Sequence, residues 1–302
     1  MNRFSHLGLG LLGILIGLFV FFISSPMFAR ARAEGTESLA PMASLPSITR
    51  SGCDRLQVAE SSGKTNKNWL KTQQSEWALG SKLAANAEQN VEMINDSFVV
   101  QYVNRIEQRI VDRSELPGCF VVKILVDPEP NAYSLPGGFI YVTTGLVQLA
   151  ETEAELAGAL AHETAHVTLH HLTRFQAQTR IWGRFALFSN PAGYLLRRYV
   201  GPLLMFSLIR KEEFEADRIG MQYQTRAGYD AREFCRLLQS AIPEDETGTS
   251  LLDRLYGTHP PTGARVKRLK SLRSIDSQVD YLVDTSEFEA MKAHFANITS
   301  PQ

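Results

Sequence analysis

The order of apolar and polar positions begins with an apolar stretch that differs from everything after it. Residues 7–23 carry no charge, and as a helix these 17 residues would span about 25 Å, somewhat less than the roughly 30 Å hydrocarbon core of a membrane. The small-x-small triplet at 31–33 is typical of a signal-peptide cleavage site. We therefore expect residues 1–33 to be a signal peptide or, alternatively, an uncleaved N-terminal membrane anchor. Residues 34–68, rich in Ser, Thr, Gly and Pro, are expected to form a linker.

Apolar residues at helical spacing predict helices in the rest of the chain. The first helix is expected from Trp69 to Ile94. The second is expected from Ser97 to about Arg113, with Asp96 as its N-cap. A third helix is expected to begin at Thr152 and to continue to about His171. The acidic residues in its first turn suit the positive end of the helix dipole.

Two short apolar runs, each next to a proline or glycine turn, predict β-strands. Phe120–Val126 is apolar except for Lys123, as in a buried strand, and Phe139–Val142 follows a Pro-Gly-Gly turn. With the helices, these strands predict an α+β fold that is mainly helical, in one domain at residues 69–272. Residues 273–302 are expected to form a C-terminal tail that is partly helical.

The composition excludes several classes of protein. The 302 residues are 44% hydrophobic and 21% charged, so the chain can bury a core and is not a disordered tail. A total of 31 Lys and Arg against 32 Asp and Glu gives a net charge of −1, which argues against a dedicated nucleic-acid-binding protein. Three cysteines are too few for a disulfide scaffold. Cys53, Cys119 and Cys235 could form one disulfide and one free thiol outside the cell, or remain three unpaired thiols.

The candidate chemistry lies in the third predicted helix, which contains the pattern H-E-x-x-H. His162 and His166 are four residues apart, so both imidazoles project from one helix face and can reach one metal ion. Zinc suits such ligands, and a catalytic zinc site keeps one position open. Glu163 lies beside the metal position rather than on it, where it can act as the general base towards the attacking water.

A glutamate from a second helix is a common third ligand of such a site. The acidic segment at 210–220 offers three candidates, Glu212, Glu213 and Glu215. Glu213 is favoured because it shares one helix stripe with Ala216, Asp217 and Gly220. The small members of this stripe would let the two helices approach closely. Asp217 is then expected to accept the free N–H of a ligand histidine and to fix its orientation.

Four segments of the chain resemble the gluzincin peptidases and occur in the same order along the sequence. The group includes the CAAX prenyl endopeptidase and the HtpX-type, mitochondrial Oma-type and periplasmic BepA-type peptidases. The segments are Asn131-Ala132-Tyr133 followed by Leu135 to Thr143, His162-Glu163-x-x-His166, Glu213-x-x-Ala216-Asp217, and His259-Pro260 with Arg265. The resemblance covers about residues 70–270. It implies a zincin-like metallopeptidase domain with a small β-sheet beside the H-E-x-x-H helix, and one Zn²⁺ per chain. It further implies Glu163 as the general base and three zinc ligands, His162, His166 and Glu213.

Two residues near the end of the resemblance are candidates for further roles. In BepA-like relatives the histidine that matches His259 can occupy the open zinc position and hold the enzyme latent, and the resemblance implies the same switch here. The rival role is a hydrogen bond to the oxyanion, for which Arg265 is another candidate. A loop histidine without any catalytic part is the remaining alternative. His170 and His171 are expected to be structural.

The resemblance implies a zinc-dependent endopeptidase that hydrolyses extracytoplasmic proteins, for quality control or maturation in the cell envelope. Unfolded or misassembled envelope proteins or peptides are the expected substrates, and no nucleic acid is expected as a partner. With at most one candidate membrane span and no helical-repeat domain, the chain resembles a minimal, single-domain member that is periplasmic or secreted. The alternative function is a non-catalytic, zinc-stabilised chaperone or scaffold, against which the position of Glu163 argues.

Two further segments have alternative interpretations. Residues 181–209, rich in aromatic residues and arginine, are expected to form an active-site cover, an interfacial segment for peripheral membrane association, or a loop and helix packed on the core. The strand at 139–142 is expected either to present an exposed edge to an extended peptide or to belong to a core hairpin.

Overall fold

The computed structural model describes residues 67–115, 118–177, 201–241, 263–272 and 279–300. These residues belong to one of the two compact units into which the chain divides, Met42–Gln302. The other unit, Met1–Pro41, lies outside the described residues, as do the expected signal or anchor segment and almost all of the expected linker.

Helices dominate the described residues, which confirms the expected mainly helical α+β fold. The helices are α1 (Lys67–Ala87), α2 (Ser97–Val111), α3 (Thr144–Leu149), α4 (Glu153–Thr168), α5 (Gly201–Arg226), α6 (Arg232–Ser240), α7 (Gly263–Ser271) and α8 (Ser286–Thr299). A single 3-10 turn, Glu88–Asn90, follows α1, and a further helical segment at 171–177 follows α4. No helix in this described part is both long and apolar enough to cross a membrane.

One mixed sheet contains the strands β1 (Met93–Ile94), β2 (Val121–Leu125), β3 (Ala132–Leu135) and β4 (Phe139–Thr143), in the order β1-β2-β4-β3. The central strands β2 and β4 are parallel, whereas β1 and β3 pair antiparallel with them at the two edges. The two predicted strands are thus confirmed as the central pair. The expectation of an exposed edge at 139–142 is wrong, because β4 lies between β2 and β3 and all five of its residues are buried.

The first helix is shorter than the spacing of apolar residues predicts. It ends at Ala87, and the backbone is extended at Val91. Met93 and Ile94 continue the helical spacing, yet they pair with β2 as the short strand β1. Hydrogen bonds to a buried central strand outweigh the local helical pattern here, as tertiary contacts often do.

The next two predicted helices each have a side-chain N-cap, of which the sequence predicted Asp96. The carboxylate of Asp96 accepts a hydrogen bond from the backbone N–H of Val99 at 3.0 Å, and this satisfies a donor of the first turn of α2. The hydroxyl of Thr152 accepts from the backbone N–H of Glu155 at 3.2 Å in the same way for α4. Both helices therefore begin where the sequence predicts.

Helix α4 lies at the centre of the core. Of its 16 residues, 14 are buried, so it is enclosed on all sides instead of having one solvent face. It packs against α5, α6 and α2, and the C-terminal helix α8 adds three apolar side chains to the same core, Phe288, Met291 and Phe295. Polar side chains on such a helix must find partners inside the protein.

The cysteines of the described residues differ in state. Cys119, just before β2, is disulfide-bonded, whereas Cys235 of α6 is a free, buried thiol. Burial raises the pKa of the Cys235 thiol to about 11. This agrees with one disulfide and one free thiol, the first of the two arrangements that the composition allows.

Candidate metal centre

Two helices bring three potential metal ligands to one point. His162 and His166 lie one turn apart on α4, and Glu213 lies on α5, which packs along α4. The Nε2 atoms of the two histidines are 3.1 Å apart. The carboxylate oxygens of Glu213 lie 3.5 Å from Nε2 of His162 and 3.4 Å from Nε2 of His166. Among the described residues, this is the one group whose ligand atoms all lie within 4.8 Å of one another.

The separations fit a tetrahedral zinc site. Zinc binds imidazole nitrogen and carboxylate oxygen at about 2.0–2.2 Å, so adjacent ligand atoms of a tetrahedron are about 3.3–3.6 Å apart. The measured separations of 3.1, 3.4 and 3.5 Å are close to these values. Two imidazoles and one carboxylate also leave a fourth position open, as catalytic zinc sites do. The donor set therefore fits the metal.

Small residues allow α5 to approach α4 this closely. Ala216 is fully buried between the helices. A Cβ atom added to Gly220 would lie 3.0 Å from Cα of His162 and 3.0 Å from the carbonyl oxygen of Ala161. The stripe on α5 therefore places Glu213 against the histidines because its other members are small.

Gly220→Val is expected to lower the free energy of unfolding by about 2 kcal/mol or more, since the added atoms collide with the backbone of α4. Urea unfolding of the full chain measures this change. Gly263→Val is the matched control, because a Cβ at Gly263 meets no atom within 4 Å. Equal stability of the two variants would contradict the close helix contact.

Asp217 and Arg265 lie behind the three candidate ligands. Oδ1 of Asp217 is 3.1 Å from Nδ1 of His162, the ring nitrogen that faces away from Glu213. Arg265 of α7 donates to Asp217 from Nε at 2.9 Å and from Nη2 at 2.6 Å. Its Nη1 lies 3.1 Å from Oε2 of Glu213. One buried guanidinium thus joins the two carboxylates that contact His162.

The charges around His162 favour a cation. Burial alone would lower the pKa of His162, but Asp217 and Glu213 raise it to about 9. Burial alone would raise the pKa of Asp217, but hydrogen bonds from His162 and Arg265 hold that pKa below its usual value. Surroundings that hold a proton on His162 also attract a metal ion in its place, and metal binding would then release the proton.

Residues 99–273, which contain all of these side chains, match peptidase family M48. The chain belongs to this family. This confirms the resemblance to gluzincin peptidases that the four sequence segments carry.

Curated relatives in the same family have named activities. The chain is 31% identical over 177 residues to the mitochondrial metalloendopeptidase OMA1 of Schizosaccharomyces pombe, a match that covers 56% of this chain and 51% of that protein. It is 29% identical over 191 residues to the beta-barrel assembly-enhancing protease of Escherichia coli, which covers 58% of this chain and 39% of that protein. The matched part thus spans about half of the first relative and less than half of the second.

Glu163, the acid of the H-E-x-x-H pattern in this M48 domain, is buried beside the ligands. Burial alone would lower the pKa of Arg265, but Asp217, Glu213 and the nearby charge of Glu163 together raise it. The guanidinium and the Glu163 carboxylate therefore lie close enough to interact. Electrostatically, Glu163 belongs to the same cluster as the ligands.

Glu107 of α2 is a buried acid beneath α4 that sequence analysis missed. It accepts a hydrogen bond from the hydroxyl of Thr164 at 2.7 Å. Burial above all, with the charge of Glu163, raises the pKa of Glu107 to about 8, although the Thr164 hydrogen bond lowers it. Glu107 is therefore mostly neutral at neutral pH and adds little negative charge beside Glu163. Helical spacing alone does not distinguish such an acid from one that faces solvent.

His171 is a second polar neighbour that sequence analysis treated only as structural. Its Nδ1 lies 2.9 Å from Nδ1 of His166, one of the three candidate ligands. Burial, together with the nearby His166 and Arg174, lowers the pKa of His171 to about 3, so its ring is neutral. The predicted helix, continuous through residue 171, would have placed this ring on another face.

His259 lies outside the described residues, as do residues 181–200 and the whole stretch before residue 67. Three expectations therefore stay predictions. They concern the switch or oxyanion contact of His259, the role of residues 181–200, and whether residues 1–33 are cleaved. Residues 201–209 form the first part of α5.

The pair formed by Glu76 and His170 predicts a pH dependence of stability. Nδ1 of His170 donates to Glu76 at 2.8 Å, and this hydrogen bond raises the pKa of His170 above its usual value of 6.5 against the effect of burial. Because the pKa of His170 is higher in the folded state than in the unfolded state, its protonation stabilises the fold at low pH. This stabilisation is lost as the pH rises through the folded-state pKa.

We therefore expect the stability difference between the wild type and Glu76→Gln to be larger at about pH 6 than at about pH 9. Urea unfolding at both pH values measures it. If the stability difference between wild type and Glu76→Gln is the same at both pH values, His170 is not held in its charged form by Glu76, which contradicts this prediction.

Proposed function

We propose that this chain is a zinc-dependent endopeptidase, with His162, His166 and Glu213 as the metal ligands and Glu163 as the general base. The observation that carries the proposal is the convergence of the H-E-x-x-H helix and a glutamate from α5 within 4.8 Å, in a chain of peptidase family M48. Relatives named as metalloendopeptidases support the reaction class.

The proposed mechanism assigns the proton transfers to Glu163. Zinc held by the three ligands would supply Lewis acidity, which favours attack of water on a peptide carbonyl near neutral pH. Glu163 takes a proton from the attacking water and passes it to the leaving amine. Its burial next to His162 holds the carboxylate in one place for both steps. A purely structural metal site needs no base at this position, which favours catalysis over a chaperone or scaffold.

Asp217 and Arg265 act through the ligands. Asp217 keeps the proton of His162 on Nδ1, and so leaves Nε2 free for the metal. Arg265 balances the charges of Asp217 and Glu213 and holds both carboxylates in place. The geometry therefore supports a positioning role for Arg265 in place of the oxyanion contact considered from the sequence.

The substrate is proposed to bind along β3, one of the two edge strands of the sheet. Among the described residues, β3 pairs with β4 on one side only, and it lies against α4, the helix that carries both ligand histidines. An extended peptide can add to such an edge through main-chain hydrogen bonds. Because this mode depends little on side chains, it suits unfolded proteins of many sequences.

The proposed substrates are unfolded or misassembled envelope proteins, met in the periplasm or outside the cell. The disulfide at Cys119 supports an oxidising compartment, since disulfides rarely persist in the cytosol. Similarity to proteases named for beta-barrel assembly supports an envelope role. Peripheral membrane association and an uncleaved N-terminal anchor belong to the same proposal as alternative ways of holding the enzyme near its substrates.

The experiment that tests this function uses the full chain, loaded with zinc, and casein as an unfolded substrate. We expect several internal cuts in casein, identified by mass spectrometry, that disappear after chelation and return when zinc is added back. A chain that binds zinc and never cuts would instead support the chaperone or scaffold.

A further inference from the structure

A break in the backbone after α4 turns His171 back towards the metal site. Helix α4 ends at Thr168, and His170 has a φ of +56°, in the left-handed region that residues other than glycine seldom adopt. In an unbroken helix, residues 166 and 171 would lie about 140° apart around the axis, and their rings could not meet. The left-handed residue starts a new helical segment at 171–177, with His171 at its first position.

The two rings meet in a defined geometry. Nδ1 of His171 lies 2.9 Å from Nδ1 of His166, with the ring centres 4.8 Å apart and the planes at 76°. His171 is only 2% exposed, so water does not replace this contact. On the far side of the ring, Nε2 lies 3.5 Å from Oε2 of Glu215, an acid of α5 that is close to the ligand Glu213 in sequence.

The position of the metal decides which ring donates. Nε2 of His166 faces His162 and Glu213, so this nitrogen is the one available to a metal. A histidine that binds metal through Nε2 carries its proton on Nδ1. The Nδ1–H of His166 therefore donates to Nδ1 of His171, whose own proton must then be on Nε2, facing Glu215.

The two ligand histidines thus have different supports. His162 is held by the carboxylate of Asp217, whereas His166 is held by a neutral imidazole. We propose that His171 is a positioning residue that fixes the tautomer and ring orientation of His166. The negative charge of Glu215, 3.5 Å from the outer nitrogen of His171, favours a proton on that nitrogen. The inference rests on the proposed zinc site and adds His171, with Glu215 behind it, to the support of that site.

The experiment measures the zinc affinity of the full chain by competition with a chromophoric chelator. His171→Phe, which keeps a ring and removes the acceptor, is expected to weaken zinc binding by about 10- to 100-fold. His171→Gln offers an amide oxygen to the same proton and is expected to recover most of that loss. The absorption spectrum of bound Co²⁺, which reports ligand geometry, should change in His171→Phe and return towards the wild type in His171→Gln.

His170→Asn is the matched control. It removes the neighbouring histidine and its contact with Glu76, and asparagine tolerates the left-handed backbone of this position. We expect this variant to bind zinc as the wild type does. If zinc binding is weakened equally in His170→Asn and His171→Phe, the cause is a general disturbance of the backbone after α4, and the proposal is overturned.

The remaining outcomes separate this inference from the proposed function. A wild type that does not bind zinc contradicts the zinc site itself. A wild type that binds zinc while His171→Phe binds equally well overturns only the role of His171. If His171→Phe does not fold, Glu215→Leu decides, because it removes both the charge and the acceptor oxygen that face Nε2 of His171. The proposal then requires weaker zinc binding and a changed Co²⁺ spectrum, and wild-type values would overturn it.

Discussion

Glu163→Gln is expected to abolish hydrolysis of casein while zinc stays bound at one ion per chain. In the proposed mechanism the carboxylate takes a proton from the reacting water and does not bind the metal, so its loss would remove proton transfer without removing a ligand. General base catalysis contributes about 10²- to 10⁴-fold, so kcat/KM should fall by roughly a thousandfold. Fragment release, measured beside zinc content on the same samples, checks both halves of this prediction.

Glu155→Gln is the matched control for that experiment. Glu155 is also a buried glutamate of α4, but it lies in the first turn, where it accepts from the backbone N–H of Glu151. This variant should cut casein at close to the wild-type rate. Near-wild-type turnover by Glu163→Gln would show that another group is the base, and loss of zinc from it would show that Glu163 is a ligand.

Arg265→Met is expected to give the largest loss of stability among single substitutions at the site. Arg265 is 3% exposed and pairs with Asp217 and Glu213, so its removal takes from two buried carboxylates the guanidinium that bridges them. Breaking a buried ion pair from one side costs about 3–5 kcal/mol. We expect a decrease of that size in the free energy of unfolding of the metal-free chain, measured with urea in the presence of a chelator.

Two further variants test the cause of that loss. Lys267→Met removes a charge from the exposed face of the same helix, α7, and should change stability by less than about 0.5 kcal/mol. Arg265→Lys keeps the charge but loses the planar guanidinium that reaches both carboxylates. Its loss in free energy of unfolding should therefore lie between those of Lys267→Met and Arg265→Met. A stable Arg265→Met chain would contradict the positioning role of Arg265.

The parts of the site that depend on helical spacing could be predicted from the sequence. The four-residue separation of His162 and His166 places both rings on one face whatever the rest of the fold does. The stripe on α5 pointed to Glu213 and Asp217 in the same way, because its small members imply a close helix contact. The structure places His162, His166 and Glu213 within the distances that one metal requires, and Asp217 lies 3.1 Å from the other ring nitrogen of His162.

The parts that depend on tertiary contacts could not be predicted. Strand β1 continues the apolar spacing of the preceding helix, and it is a strand only because its backbone pairs with β2. His171 reaches His166 only because the backbone reverses at His170, and nothing in the local pattern indicates that break. Arg265 joins α7 to the site through two carboxylates of α5, a contact between segments about fifty residues apart in the chain.

A zinc titration of the metal-free full chain, with casein cleavage followed at each step, tests the central claim most directly. The account predicts that cleavage rises with added zinc, reaches its maximum at one equivalent per chain, and stays absent at every zinc concentration in Glu213→Ala, which lacks a ligand. Cleavage that does not depend on zinc, or a Glu213→Ala chain that reaches wild-type cleavage at one equivalent, would contradict the account.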